Sequence, residues 1–399
     1  MVERELRATY VKIRLTAQPT EPFTSRSCQP DCFDLDATVR LFKEKGWSMV
    51  PMISAPAGPG VTSVDVGRYV RFVEWFLTRY RDDAKVEYLE LVNNPAGPGW
   101  RGTDDDLLAI QNGVYERVHA GFPGVKVGTH GVEMFADSTG PEATRQLQIL
   151  ELLLDGARGA RFDFLAFHGY KPLGDDGPYP PTRSTLHNRF APIEGILELR
   201  RRLDANGWGD RGLLDTESTY MSPLETLSSW GETSAALMAQ SLVRKRALLS
   251  NGKPALLGAL PLKVSPRCEP AGNGECGWAD LAPDGAPTPA VRAVIAVQRA
   301  LADASPSGHV SGTLDVDREA WVEHFVRPGG REVYVAFQPF ASTGRPTLDG
   351  ATLSYTLDLG APPRAITVTE SDGAPRALPS AARVPLVVGY APTFVEVDR

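Results

Sequence analysis

The sequence predicts an α/β protein, a (β/α)8-type barrel followed by a C-terminal β-sandwich. Three observations predict it. Short β-branched apolar runs alternate with amphipathic stretches, at lengths suited to right-handed crossovers. Polar residues repeatedly fall where those runs end, which is where a barrel gathers its loops. After Ala304 the helical pattern stops, and only short strand-like runs separated by turn residues remain.

Taken in order, Thr9 to Leu15 alternates and is β-branched, so it reads as a strand. A Pro-rich loop with two cysteines follows, then a helix from Leu35 to Lys45 that stops at Gly46. Trp47 to Ile53 is a strand and Val64 to Tyr80 an amphipathic helix. Val86 to Val92 is a buried strand broken at Asn93-Asn94-Pro95, because proline removes a donor and disfavours helical geometry before it. Thr103 followed by Asp104, Asp105 and Asp106 marks a helix start, with acids on the positive end of the dipole. The expected sequel is strand Val125 to Thr129, helix Pro141 to Leu154, strand Phe162 to Phe167, helix Ile193 to Leu203 and strand Gly212 to Thr216. Helix Thr233 to Leu249, strand Ala255 to Leu262 and helix Pro289 to Leu301 complete the series. That is seven strands of the eight a barrel needs, over a unit of residues 1–304. Residues 305–399 carry six short strand candidates and read as the sandwich. A doubly wound open sheet is disfavoured, since no Gly-rich phosphate turn follows the first strand.

Of the 399 residues, 42% are hydrophobic and 23% charged, and the net charge of −7 is dispersed without a basic run. This argues against nucleic acid or an anionic membrane surface as partner. No stretch approaches a membrane span, and the first residues are no signal peptide. Cysteines pair locally, Cys28 with Cys32 and Cys268 with Cys276, which suggests small disulfides and an extracellular or periplasmic setting, with a cytoplasmic one left open. The six histidines are scattered and form no metal pattern. No metal and no cofactor is expected, and the oligomeric state is not legible.

Polar groups at strand ends are Arg14, Asn93 with Asn94, His168 with Tyr170, and Glu217 with Tyr220 three residues on. A glutamate ending a buried strand needs a partner or a function. Trp100 and Trp278 lie in loops from which an aromatic plane could face a bound ligand, or they pack under those loops. A Ser–His–Asp hydrolase is disfavoured, because no G-x-S-x-G elbow is present.

The stretch Y-L-E-L-V-N-N-P resembles the fourth-strand motif Y-x-E-x-W-N-E-P of the clan A retaining glycoside hydrolases, through Tyr88, Glu90, Asn93 and Pro95. L-L-D-T-E-S-T-Y resembles their seventh-strand T-E motif, D-F-L-A-F-H-G-Y their sixth-strand H-x-Y, and K-I-R-L their second-strand arginine motif. The pattern is most similar to the β-xylosidase/α-L-iduronidase family, glycoside hydrolase family thirty-nine. The resemblance implies a carbohydrate substrate and places Glu217 on the nucleophile. It puts Asn93 on the asparagine that bonds the sugar 2-hydroxyl, and Arg14 on the arginine that keeps the nucleophile ionised. His168 and Tyr170 would line the site. It also implies that the family's first strand is missing or lies upstream. One departure stands out: the family's acid/base glutamate is Asn94 here. Another carboxylate could replace it (Asp104, Asp105, Glu133 and Asp175 are the loop candidates), the leaving group could need no proton, or the cleft could bind sugar without catalysis.

Overall fold

The computed structural model describes residues 10–28, 32–56, 63–93, 95–96, 100–133, 141–172, 193–221, 227–261, 289–312, 319–339, 351–370 and 374–399. Along the chain run β1 (Tyr10–Thr16), β2 (Arg26–Cys28), β3 (Cys32–Asp34), α1 (Leu35–Lys45), β4 (Ser48–Ser54), α2 (Val66–Tyr80) and β5 (Tyr88–Leu91). Then come α3 (Asp104–Gly121), β6 (Lys126–Val127), β7 (Val132–Glu133), α4 (Pro141–Leu154), β8 (Phe164–His168), β9 (Tyr170–Pro172), α5 (Ile193–Ala205) and β10 (Gly212–Met221). The alternating part ends with α6 (Leu227–Ala247), β11 (Leu249–Ser250), β12 (Lys253–Pro254), β13 (Gly258–Pro261) and α7 (Pro289–Leu301).

Capping chemistry sets the helix starts. The Asp34 and Asp65 carboxylates accept from the amides of Asp36 and Arg68 at the heads of α1 and α2. Thr103 and Asp106 close a reciprocal capping box on α3, as the acid-rich start foretold. Gly46 ends α1 in the left-handed region.

The strands form two parallel sheets, ordered β1-β4-β5-β6 and β13-β10-β8-β7, with β9 also pairing β10. A parallel bridge from Gly128 to Phe164 joins them. Outward-facing residues of these strands and the helices share one apolar core, built around Leu15, Ile53, Phe72, Phe76, Leu89, Val127, Leu165 and Phe167. Tyr88, Phe164, Ala166 and Leu214 pack in a separate small cluster on the other face.

Three local features differ from the sequence expectation. The cysteine loop is a hairpin in which Cys28 stands opposite Cys32; Cys268 and Cys276 lie outside the described residues, as do the side chains of Cys28 and Cys32. The strand expected at Val125–Thr129 is shortened to β6, and a further strand, β7, follows after Gly128–Gly131. Finally, β10 continues through Glu217 to Met221, because β9 supplies a second partner beyond His168. Among the described residues no helix is long and apolar enough to cross a membrane.

The C-terminal part adds β14 (Ser305–Ser311), β15 (Trp321–Val326), β16 (Glu332–Phe337), β17 (Leu353–Asp358), β18 (Ala365–Glu370), β19 (Arg376–Leu378), β20 (Arg383–Val388) and β21 (Thr393–Asp398). Its main sheet is antiparallel, ordered β14-β15-β16-β21-β18-β19. One face packs on the β17–β20 pair through Val322, Ala336, Val395, Leu357 and Val388. The other face packs Phe325, Val335, Phe337 and Phe394 against Met238, Leu242 and Val243 of α6 and Val297 and Leu301 of α7.

A buried ion pair ties α6 to the parallel strands. Lys245 Nζ lies 2.6 Å from Asp215 Oδ2, with side-chain exposures of 1% and 0%. Asp215 also accepts from the Gly169 amide at 3.0 Å, and Lys245 donates to the Gly169 carbonyl at 3.3 Å. The pair therefore fixes the turn that follows His168. Removing one partner strands a buried charge, so Lys245→Met should cost about 3–5 kcal/mol in urea unfolding, and joint Asp215→Leu/Lys245→Met most of that less. Equal losses in the single and double variants would refute the pair's coupling.

Candidate active site

Four side chains of the parallel strands close a ring. His168 and Glu90 stand at or next to the C-terminal ends of β8 and β5, Glu217 within β10, and Lys12 reaches them from the first half of β1. Lys12 Nζ of β1 lies 2.9 Å from Glu90 Oε2 of β5 and 2.8 Å from Glu217 Oε1 of β10. His168 of β8 completes it, with Nε2 at 3.2 Å from Glu90 Oε1 and Nδ1 at 3.5 Å from Glu217 Oε2. Glu90 has no exposed surface, whereas the Glu217 side chain keeps 11%. Glu217 is thus the carboxylate of the pair that a ligand can reach.

The electrostatics follow from this geometry. Burial alone would raise the Glu90 carboxyl, but the Lys12 charge and the His168 hydrogen bond outweigh it and hold its pKa at about 2. Burial would lower the Lys12 ammonium; the charges of Glu90 and Glu217 raise it instead. Lys12 and Glu90 are therefore both ionised at neutral pH, and Glu90 is an anchor that has no proton to give.

Two irregularities in the strands aim the groups. Register of β10 against β13 shifts between Asp215 and Ser218, and Thr216 Oγ1 donates to the Phe167 carbonyl across that shift. On the other side of β8, Gly128 opposes Phe164 while Val132 opposes Phe167, so one extra residue is accommodated at Thr129–Gly131. Here Thr129 Oγ1 accepts from the Ala166 amide at 3.1 Å, taking a ladder position from the backbone. Each threonine precedes a polar residue set beside the ring, Glu217 in one case and His130 in the other. A Cβ at Gly131 would collide with the His168 ring, so the close approach demands glycine there.

A third irregularity precedes the paired amides. Val92 has φ 50°, an unusual conformation for a β-branched residue. Its amide donates to the Ile53 carbonyl at 2.9 Å and to Tyr69 Oη at 3.2 Å. Tyr69, whose pKa burial raises, donates in turn to Ile53. This strain is held by tertiary contacts and turns the chain at half-buried Asn93.

Of the residues singled out in the sequence, Glu217 and His168 meet in the ring. Arg14 is exposed and makes no hydrogen bond or ion pair among the described residues; the cation touching Glu217 is Lys12, two residues earlier on the same strand face. Trp100 is half-buried against the main core, its ring lying over Gly102 and its buried indole nitrogen without an acceptor. Asp104 pairs with Arg145, and Asp105 lies 3.7 Å from Arg158, so both are engaged by surface arginines. Asn94, Asp175 and Trp278 lie outside the described residues, as do the side chains of Tyr170, Tyr220 and Glu133. Sequence reasoning missed Lys12 and His130. The signal for Lys12 was a charge on an otherwise β-branched strand; for His130 it was a polar Thr-His-Gly run ending a buried strand. Among the described residues no cluster of His, Cys, Asp and Glu could hold a metal.

Because Glu90 titrates at about 2 against an ordinary 4.5, its stabilising contribution is full above about pH 4.5 and is lost as pH falls toward 2. The stability difference between wild type and Glu90→Gln, measured by denaturant titration, should shrink across that window. A difference constant with pH would contradict the assignment. Lys12→Met, which leaves two carboxylates facing one another, should cost about 3–5 kcal/mol at pH 7.

No protein-family model and no curated protein matches this chain. Solved structures do. A family 39 glycoside hydrolase from the gut symbiont Bacteroides cellulosilyticus aligns with TM-score 0.70 at 15% identity, covering 100% of this chain and 77% of that one. A glucosidase from Croceicoccus marinus gives TM-score 0.64 at 15% identity, covering 100% of this chain and 91% of its own. A monomeric beta-xylosidase from Caulobacter crescentus gives 0.59 at 15% identity, over 99% and 90%. At these identities the likeness is one of fold, and the fold is the one found in family 39 glycoside hydrolases.

Proposed function

We propose that this chain is a glycoside hydrolase-like protein acting on a glycoside or oligosaccharide by a retaining-type mechanism, with Glu217 as nucleophile and Asn94 at the acid/base position. The observation that carries the reading is Glu217 itself, a reachable carboxylate held by a fixed ammonium among the parallel strands. Residues 1–304 are taken as a (β/α)8-type barrel and 305–399 as its β-sandwich. Closure is supported by residues of β1 and β13 approaching within 8 Å and by Lys12 of β1 touching Glu217 of β10.

In this mechanism Lys12 occupies Glu217 Oε1, and Oε2 attacks the anomeric carbon as the bond to the leaving oxygen breaks. Water then displaces Glu217 from the glycosyl-enzyme. Asn93 is assigned to the sugar 2-hydroxyl, and Tyr170, Tyr220 and Trp278 to the walls of the cleft. Arg14 on the same strand face as Lys12 would reach the bound ligand from the open side. Asn94 is an amide and delivers no proton, and Glu90 is held ionised. The leaving group must then depart as a stable anion, or bond cleavage does not occur and the cleft only binds sugar.

Turnover of aryl glycosides of graded leaving group tests this. Wild type should cleave only the activated substrates, Glu217→Gln should be inactive, and Asn94→Glu should gain about 10²- to 10⁴-fold on poor leaving groups. A 2-fluoro sugar with a good leaving group should label Glu217 covalently, read by mass spectrometry of the peptide. Sugar binding without cleavage or labelling in any variant would replace the enzyme with a carbohydrate-binding protein.

A further inference from the structure

Beyond the charged ring lies a row of polar groups that the proposed mechanism does not use. Thr16 and Ser54 are paired residues at the ends of β1 and β4. Ile53 pairs with Leu91, and the Leu91 amide donates to the Thr129 carbonyl, so the row passes from Ser54 through Val92 to His130. Thr16 lies on the strand face of Lys12, and His130 follows Gly128 by two on the face of Glu90. The oxygens Thr16 Oγ1 and Ser54 Oγ and both ring nitrogens of His130 are buried without a hydrogen-bond partner.

Such orphans are costly, and His130 is the extreme case, with 1% of its surface exposed. It is within electrostatic reach of Glu90 and His168, and burial, with His168 beside it, pushes its pKa down to about 3. His130 is therefore a neutral imidazole, one donor and one acceptor. Serine and threonine hydroxyls have the same double character. A carboxylate or phosphate would offer only acceptors and an ammonium only donors. A ligand hydroxyl offers both, which is what every member of this row lacks.

The geometry points to His130, with Thr16 and Ser54, as a hydroxyl-binding rim above the charged ring, in which His130 selects ligands bearing a hydroxyl at one ring position. This rests on the reading of the cleft as a sugar site. Alternation from Gly128 sets His130 on the side of the sheet that carries Glu90, and the extra residue at Thr129–Gly131 is accommodated beside it, as a register shift lies beside Glu217.

The test uses the full chain and a set of neutral monosaccharides with their single-deoxy analogues, measured by calorimetry for wild type, His130→Phe and His130→Gln. Wild type should bind one deoxy analogue about tenfold more weakly than its parent. In His130→Phe parent and analogue should bind alike, and His130→Gln, which keeps a donor and an acceptor, should restore part of the preference. A preference unchanged in both folded variants overturns the inference while leaving the sugar site intact. Should His130→Phe not fold, an unchanged preference in His130→Gln together with an unchanged affinity overturns it equally. If wild type binds none of the sugars, the sugar-site reading fails and the inference falls with it.

Discussion

The ammonium of Lys12 between two carboxylates is the constraint on which the site depends. It joins the first strand of the parallel system to β5 and β10, which are distant in sequence and not neighbours in the sheets. Buried charges are stable only when their partners are well placed, so the ring sets the separation of those strands as firmly as the apolar core behind them. The same contacts distribute chemical roles. Glu90 is sealed, ionised at neutral pH and structural in effect. Glu217 shares the cation but keeps a face toward solvent.

Regular strands alone would not build this arrangement. Alternation sends successive side chains to opposite faces, and a polar residue reaches the interior only when its parity agrees. A register change lies on each side of β8, the one in β10 breaking parity at Glu217, and in both a threonine hydroxyl makes a hydrogen bond across the irregularity. Gly131 and Gly169 supply the clearance on either side, beside His168 and Asp215. The strained Val92 adds a third departure before Asn93. Among the described parallel strands, these three irregularities all fall beside polar groups of the site.

Much of this was legible in the chain. Period and capping located α1, α4 and α7 at their observed limits. Glu217 and His168 were legible because polar residues ending apolar runs have few structural uses. The substitution of Lys12 for Arg14 was not, since both lie on one face and only the stagger between strands decides which reaches Glu217. Nor could period reveal that Val125–Thr129 continues after a bulge, because an inserted residue has no compositional mark beyond a glycine. The hairpin at Cys28–Cys32 and the edge strand β14, rich in serine and glycine, were hidden for the same reason: their pairing, not their propensity, makes them strands.

The main C-terminal sheet is the middle layer of three, covered on one side by β17 and β20 and on the other by α6 and α7. Gln240 of α6 reaches the carbonyls of Gln338 and Tyr390, and Arg244 stacks its guanidinium 4.3 Å from the Trp321 ring. Those helices belong to the part that bears the site, and α6 is pinned through Lys245 to the turn after His168. The trailing sheet is accordingly no interchangeable appendage. Exchanging it for another module would mean repacking the helix that steadies the turn after His168, so the two parts are coupled through one shared helix.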